Sequence, residues 1–182
     1  MHRLTHQSQV VILTALLVAG CGAPPSSAPQ PTPDVTRPAP KPIEPVELPT
    51  AVLPDGFELI LELAQTSNEI SQGLMFRSHL PENRGMLFLF HTERVPSFWM
   101  KNTLIPLDII FLGPDGTVVD IAVDARPCRA EPCPQYVSKS PARAVLEVGA
   151  GVAKAHGIEV GTKLAFNRVS GFPLGAGAPV TE

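Results

Sequence analysis

The chain has 182 residues, 21 of them proline, and a formal net charge of −3, which suits one domain of ordinary size plus much chain outside it. Its 14 basic residues are scattered among 17 acidic ones, so nucleic acid is a poor partner. No nucleophile elbow, phosphate loop or zinc-protease motif is present.

Residues 1–20 read as a signal peptide, with Arg3 ahead of the apolar run "VVILTALLVAG" and small residues before Cys21. "VAGC" resembles the lipobox of bacterial lipoproteins, which implies cleavage that leaves Cys21 as the lipid-bearing first residue. The run is shorter than the roughly 20 apolar residues of a membrane-spanning helix. The expectation is an exported protein, lipid-anchored to the cell envelope on its periplasmic or extracytoplasmic side, with the membrane as a partner through Cys21. Residues 21–54 read as a linker: eleven of the 33 residues from 22 to 54 are Pro, a composition that extends rather than packs. At ~3.1 Å per residue it reaches on the order of 100 Å. Residues 55–169 are then the one globular domain, and 170–182, rich in Gly, Pro and Ala, a frayed tail.

Within the domain, "FELILELA" alternates Phe57, Leu59, Leu61 and Leu63 with Glu58, Ile60 and Glu62, the pattern of a half-buried strand. Thr66 and Glu69 form a capping box that predicts a helix of about two turns. "GMLFLF", residues 85–90, is apolar on both faces and predicts a central strand. "PLDIIFL" and "TVVDIAV" flank the turn Gly113–Gly116 and predict a hairpin. Opposing residues 112 and 117 puts 110 across from 119 and 108 across from 121. One face of the hairpin then carries Asp108, Ile110, Leu112, Val119, Ile121 and Val123. "RAVLEV" reads as a strand, "GAGVAKAHG" as a short helix stopped at Gly157 with Ile158 behind it, and "TKLAF" as a last strand. Five or six short strands with two short helices predict an α+β fold, mainly β. Its form is a compact, strongly curved, largely antiparallel sheet or small barrel.

Cys128 and Cys133 share a Pro-rich loop, and in an exported chain they read as a disulfide. Their C-x4-C spacing differs from the C-x-x-C of redox proteins. Met75, Met86, Met100, His79 and His91 are residue types that suit Cu(I), but their spacing forms no tight ligand group and favours packing. No metal site and no cofactor are expected. Asp108 stands inside an apolar strand, where a carboxylate needs partners. Two readings stay open: backbone amides or Asn102 or Lys101 satisfy it structurally, or it edges a pocket with a perturbed pKa. On an extended backbone Trp99, Lys101 and Thr103 project to one side and Phe98, Met100 and Asn102 to the other. Trp99 beside Lys101 makes either an aromatic wall with a cationic rim or a core ring under a snorkelling lysine.

The strings "GLMFR", "GMLFLF", "FWMKNTLIPLDIIF", "CPQY", "AVLEVGAG" and "HGIEVGTKLAF" resemble the domain of unknown function 192 family, a bacterial and archaeal group often found as exported proteins. The resemblance covers nearly all of residues 57–168 and implies one compact β-rich domain with no assigned reaction. The signature positions it implies include Gly73, Met75, Arg77, Gly85, Met86, Trp99, Met100, Lys101, Asn102, Thr103, Pro106 and Asp108. The leading expectation is an envelope binding or accessory domain for a small-molecule or envelope-polymer ligand, with Trp99, Met100, Lys101, Asn102 and Asp108 as candidate ligand-binding residues. The alternatives are an enzyme using Asp108 and Lys101 as an acid/base pair and a structural domain that contacts other envelope proteins.

Overall fold

The structure, a computed structural model, describes residues 47–173. The expected signal peptide, Cys21, the linker as far as residue 46 and the tail from 174 lie outside the described residues. In chain order the elements are β1 (Thr50–Val52), β2 (Glu58–Ala64), α1 (Ser67–Gln72), β3 (Arg84–Arg94), β4 (Ser97–Trp99), β5 (Leu107–Leu112), β6 (Val118–Ala125), β7 (Gln135–Val137), β8 (Ala142–Gly149), α2 (Val152–Ala155) and β9 (Ala165–Asn167). Seven strands form one strongly curled sheet in the order β6-β5-β8-β3-β2-β1-β9, and β4 and β7 form a second, two-stranded one. The fold is α+β and mainly β, as the alternation patterns predict.

The local signals account for these elements. Thr66 Oγ1 accepts from the Glu69 N–H at 3.3 Å, and Glu69 Oε2 accepts from the Thr66 N–H at 2.9 Å, so the capping box opens α1. Residues 85–90 of β3 are all buried, between β2 and β8. Gly157, at φ 67°, stops α2, and the Ile158 N–H reaches back to the Ala153 carbonyl. Alternation along β3 sends Leu87 to one core cluster and Phe88 to the other. The first, with Leu59, Ile110, Leu146 and α2, fills one face of the sheet; the second, with Met100, Ile109 and Phe111, fills the other. Each fully buried Leu or Phe contributes about 1.5–3 kcal/mol.

Four expectations need correction. Among the described residues the strands number nine, because β1, β4 and β7 have three residues each and are too short to show a period. The domain starts before residue 55: β1 pairs with both β2 and β9, and Ala51 is buried. At the other end Phe172 is buried and meets Phe166 edge-on at 5.0 Å, so the first part of the expected tail belongs to the core. The hairpin register also differs, with Leu112 opposite Val118 and Ile110 opposite Ile121. Thr117 is drawn into the turn by Asp115, which accepts from its N–H at 3.0 Å and its hydroxyl at 2.8 Å. The bulge this leaves in β6 exchanges the faces of Val118 and Val119, so that Val118 packs with Leu112 in the first cluster. Val119 consequently packs in the second cluster with Phe111, and Val123 is 63% exposed. One strand pair, β2 with β3, is parallel; its crossover is the 65–83 segment carrying α1.

Candidate functional site

A cavity of about 410 Å³ opens on the second-cluster face of the sheet. Its walls come from α1 and the turn after it (Ile70–Met75), from Phe88 and Arg94 of β3, from Val95–Trp99 and from Thr103, and Glu147 of β8 reaches it from the sheet. The wall is shaped by Gly73, which ends α1 at φ 47° and ψ −135°, a conformation that only glycine adopts without strain. A Cβ there would lie 3.1 Å from Phe88 Cζ and 3.9 Å from Glu147 Oε2. Beyond it, Arg77 makes a bidentate pair with Glu62 at 2.6 and 2.7 Å, which ties the loop after α1 to β2 and lowers the Glu62 pKa.

Glu147 is the residue that sequence reasoning missed. It pairs across the sheet with Met86 and Ile109 and is only 5% exposed. Among the described residues no group donates a hydrogen bond to its carboxyl, and burial pushes its pKa up to about 8. The signal was present: a single Glu inside the apolar run "AVLEV" is the same anomaly that singled out Asp108.

Asp108 lies on the other face. It is 1% exposed, and its carboxylate accepts from the N–H groups of Asp124 at 2.8 Å, Gly151 at 2.9 Å and Ala153 at 3.0 Å. It thus stitches the end of β6 to the first turn of α2, whose own N-cap, Gly151, has no side chain to do so. Neither Asn102 nor Lys101 contributes. Lys101 Nζ instead meets Glu131 Oε1 at 2.7 Å and stands 5.4 Å from the Trp99 ring centroid. Lys101 holds the Glu131 pKa down, with help from the Cys133 N–H.

The Cys128–Cys133 disulfide closes the loop that carries Glu131. That loop lies along the Trp99–Lys101 segment, with the Cys128 N–H donating to the Met100 carbonyl at 3.0 Å. Met100 is 1% exposed, and with Met86 it packs in the second cluster. Alternation holds from Phe98 to Lys101 and breaks at Asn102, which takes φ 57° and is exposed. Its carbonyl accepts from the N–H of Phe76, itself at φ 62° and 66% exposed. Of the five candidate ligand-binding residues, Trp99 alone lines the cavity, 44% exposed at its mouth; Lys101 stands beside it, while Met100 and Asp108 face inward elsewhere.

The chain is similar to a UPF0127 protein of Pyrococcus furiosus, 31% identical over 121 residues that span 63% of this chain and 94% of that one. Two solved structures have the same fold at a TM-score of 0.59. One is a protein of unknown function from Novosphingobium aromaticivorans, 40% identical, covering 68% of this chain and 90% of that chain. The other is a provisionally named transcription regulator of Sinorhizobium meliloti, 36% identical, covering 65% of this chain and 91% of that one. Residues 51–166 match the family described as Uncharacterized ACR, and the chain belongs to that family, the domain of unknown function 192.

Proposed function

We propose that this protein is a lipid-anchored component of the cell envelope whose β-rich domain binds a small ligand in the cavity between α1, β4 and β8. The observation that carries the binding reading is Glu147, a residue 5% exposed on the lining of an open cavity, whose carboxyl has no hydrogen-bond donor among the described residues. Burying such a group without a hydrogen bond costs several kcal/mol, a cost that a bound ligand offsets. The aromatic mouth at Trp99 and the hydroxyls of Ser97 and Thr103 supply the mixed lining typical of small-molecule sites. The anchor rests on the signal-peptide pattern and Cys21. The acidic balance of the chain argues against carrying over the Sinorhizobium meliloti relative's label.

Two experiments test this reading. Labelling cells with a radioactive fatty acid is expected to mark the wild-type protein, and label retained by Cys21→Ser protein would sink the anchor. For the cavity, a fragment screen read by NMR is expected to perturb Gly73, Trp99 and Thr103. Those perturbations should vanish in Gly73→Val protein; shifts that ignore this cavity-filling change would remove the site.

A second reading is an enzyme in which Glu147, held protonated near neutral pH by burial, serves as general acid. This differs from the Asp108/Lys101 pair expected from sequence, whose members the fold assigns to separate partners.

A further inference from the structure

We propose that the cavity receives a small organic cation, an alkylammonium group seated against the Glu147 carboxylate and the rings of Phe88, Phe98 and Trp99. This rests on the cavity being the ligand site, and it names the chemical class of the occupant.

The first support is a missing complement. Glu147 is the acidic side chain among the described lining residues, and no cation among the described residues pairs with it. Arg94, the other charged residue of the lining, holds its guanidinium 3.9 Å from the Phe90 ring centroid instead. Lys101 is occupied by Glu131. The positive partner of this carboxyl is therefore either a proton or part of the ligand.

The second support is the ring arrangement. Phe88 and Phe98 meet edge to face at 5.1 Å, and Trp99 stands at the mouth. Aromatic rings attract ammonium groups, and an aromatic lining is the known design for alkylated amines; Phe88, Phe98 and Trp99 line the same cavity as Glu147. The third is convergence: the point where a Gly73 Cβ would sit lies within 4 Å of both the Phe88 ring and Glu147 Oε2. The cavity wall at Gly73 therefore borders both groups. A neutral or anionic ligand would gain one hydrogen bond from the protonated carboxyl. A cation recovers both the ion pair and the ring attraction.

The chemistry is a proton exchange. In the empty cavity the Glu147 carboxyl is mostly protonated below pH about 8; when the cation binds, the O–H bond breaks and one proton leaves to solvent, so the net charge of the site is unchanged. Below that pH each unit of acidification costs up to tenfold in affinity for a permanent cation, because the proton must be removed first. The neighbouring elements add no competing titration. Among the described residues α1 presents Ile70, Ser71 and Gln72, β4 presents Ser97–Trp99, β5 places Ile109 beside Glu147, and β3 contributes Arg94.

Calorimetry on the full-length protein in a maltoside detergent tests this with choline and its uncharged analogue 3,3-dimethylbutan-1-ol at pH 6, 7 and 8. Choline is expected to bind roughly 50-fold tighter at pH 8 than at pH 6 and at least ~10-fold tighter than the neutral analogue. Glu147→Gln is expected to lose at least ~10-fold at pH 8 and to flatten the pH dependence. Glu147→Asp, which keeps the charge, should retain the pH dependence at reduced affinity. Equal binding of both compounds, tighter binding in acid, or no choline binding while fragments still map to the cavity would overturn the cation and leave the site standing. Failure of both compounds together with a fragment screen blind to Gly73→Val would remove the site itself.

Discussion

Asp108 and Glu147 stand one step apart on paired strands, since Asp108 is opposite Val148 and Ile109 is opposite Glu147, yet the sheet turns them to opposite faces and into opposite roles. Asp108 meets three backbone N–H groups that the end of β6 and the start of α2 would otherwise leave without partners. Glu147 lines a cavity together with Phe88, Phe98 and Trp99 and meets no donor among the described residues. A carboxylate surrounded by donors is a structural fastener, because its charge is stabilised by the fold itself. A carboxyl that is buried and left without donors costs stability, and it marks the place where something from outside supplies the complement.

The comparison can be broken at either end, and the largest effect belongs to the fastener. Asp108→Ala should cost about 5 kcal/mol, since it removes three charge-assisted hydrogen bonds and strands three amides; chemical denaturation measures this. A loss below about 1 kcal/mol would show that Asp108 is not holding β6 to α2.

At Glu147 the effect has the opposite sign and depends on pH. Its folded pKa of about 8 lies above its model value of 4.5, so the native state binds the extra proton between those values. The stabilisation is complete below pH 4.5 and is lost as pH rises through 8, a fall of roughly 4 kcal/mol. Glu147→Gln, with no charge to bury, should abolish this slope and be the more stable protein at pH 8. Melting temperatures across pH 5 to 9 decide the matter, and a wild type as stable at pH 8 as at pH 5 would contradict it.

A smaller effect is expected at Gly73. Gly73→Ala forces a side chain into φ 47° and against Phe88, which should cost about 2 kcal/mol and narrow the cavity. Smallest of all is Trp99→Ala: the ring is 44% exposed, so stability should change by about 0.5 kcal/mol or less, while affinity for an ammonium probe falls about 3- to 10-fold. Together these variants separate stability from binding, with Asp108 governing the first and Trp99 the second.

How much of this was readable in the chain depends on the range of the interaction. The half-buried β2, the fully buried β3, the capping box of α1 and the stop at Gly157 all follow from residues within a few positions of one another. The disulfide is of the same kind, its two ends being five positions apart in sequence. Asp108 could be recognised as anomalous because period-2 reasoning placed it in an apolar strand. Its partners, Gly151 and Ala153, come from more than 40 positions away and could not be named. The hairpin faces went astray beyond Thr117, where an Asp115 side chain competing for backbone and hydroxyl groups inserted a bulge.

The candidate site lies at the far end of that scale. Sequence alone marked the "FWMKNT" segment as unusual, and Trp99 does line the cavity. The same segment hides Met100 in the core and turns Asn102 outward through a left-handed backbone. Glu147, alone among apolar neighbours, carried the same signal as Asp108, but its meaning depends on what packs above it. That cover is supplied by α1 with Gly73 and by β4, segments 50 to 80 residues earlier in the chain.

By itself, then, the sequence determined the six strand segments long enough to show a pattern or placed at a motif, the two helices, the cross-linked loop and the family, because these rest on local periodicity, capping and motif. Only the tertiary structure decided which of two neighbouring carboxyls is bonded by backbone amides and which faces a cavity. Burial and desolvation are set by distant segments that fold over a residue, and no local pattern records them.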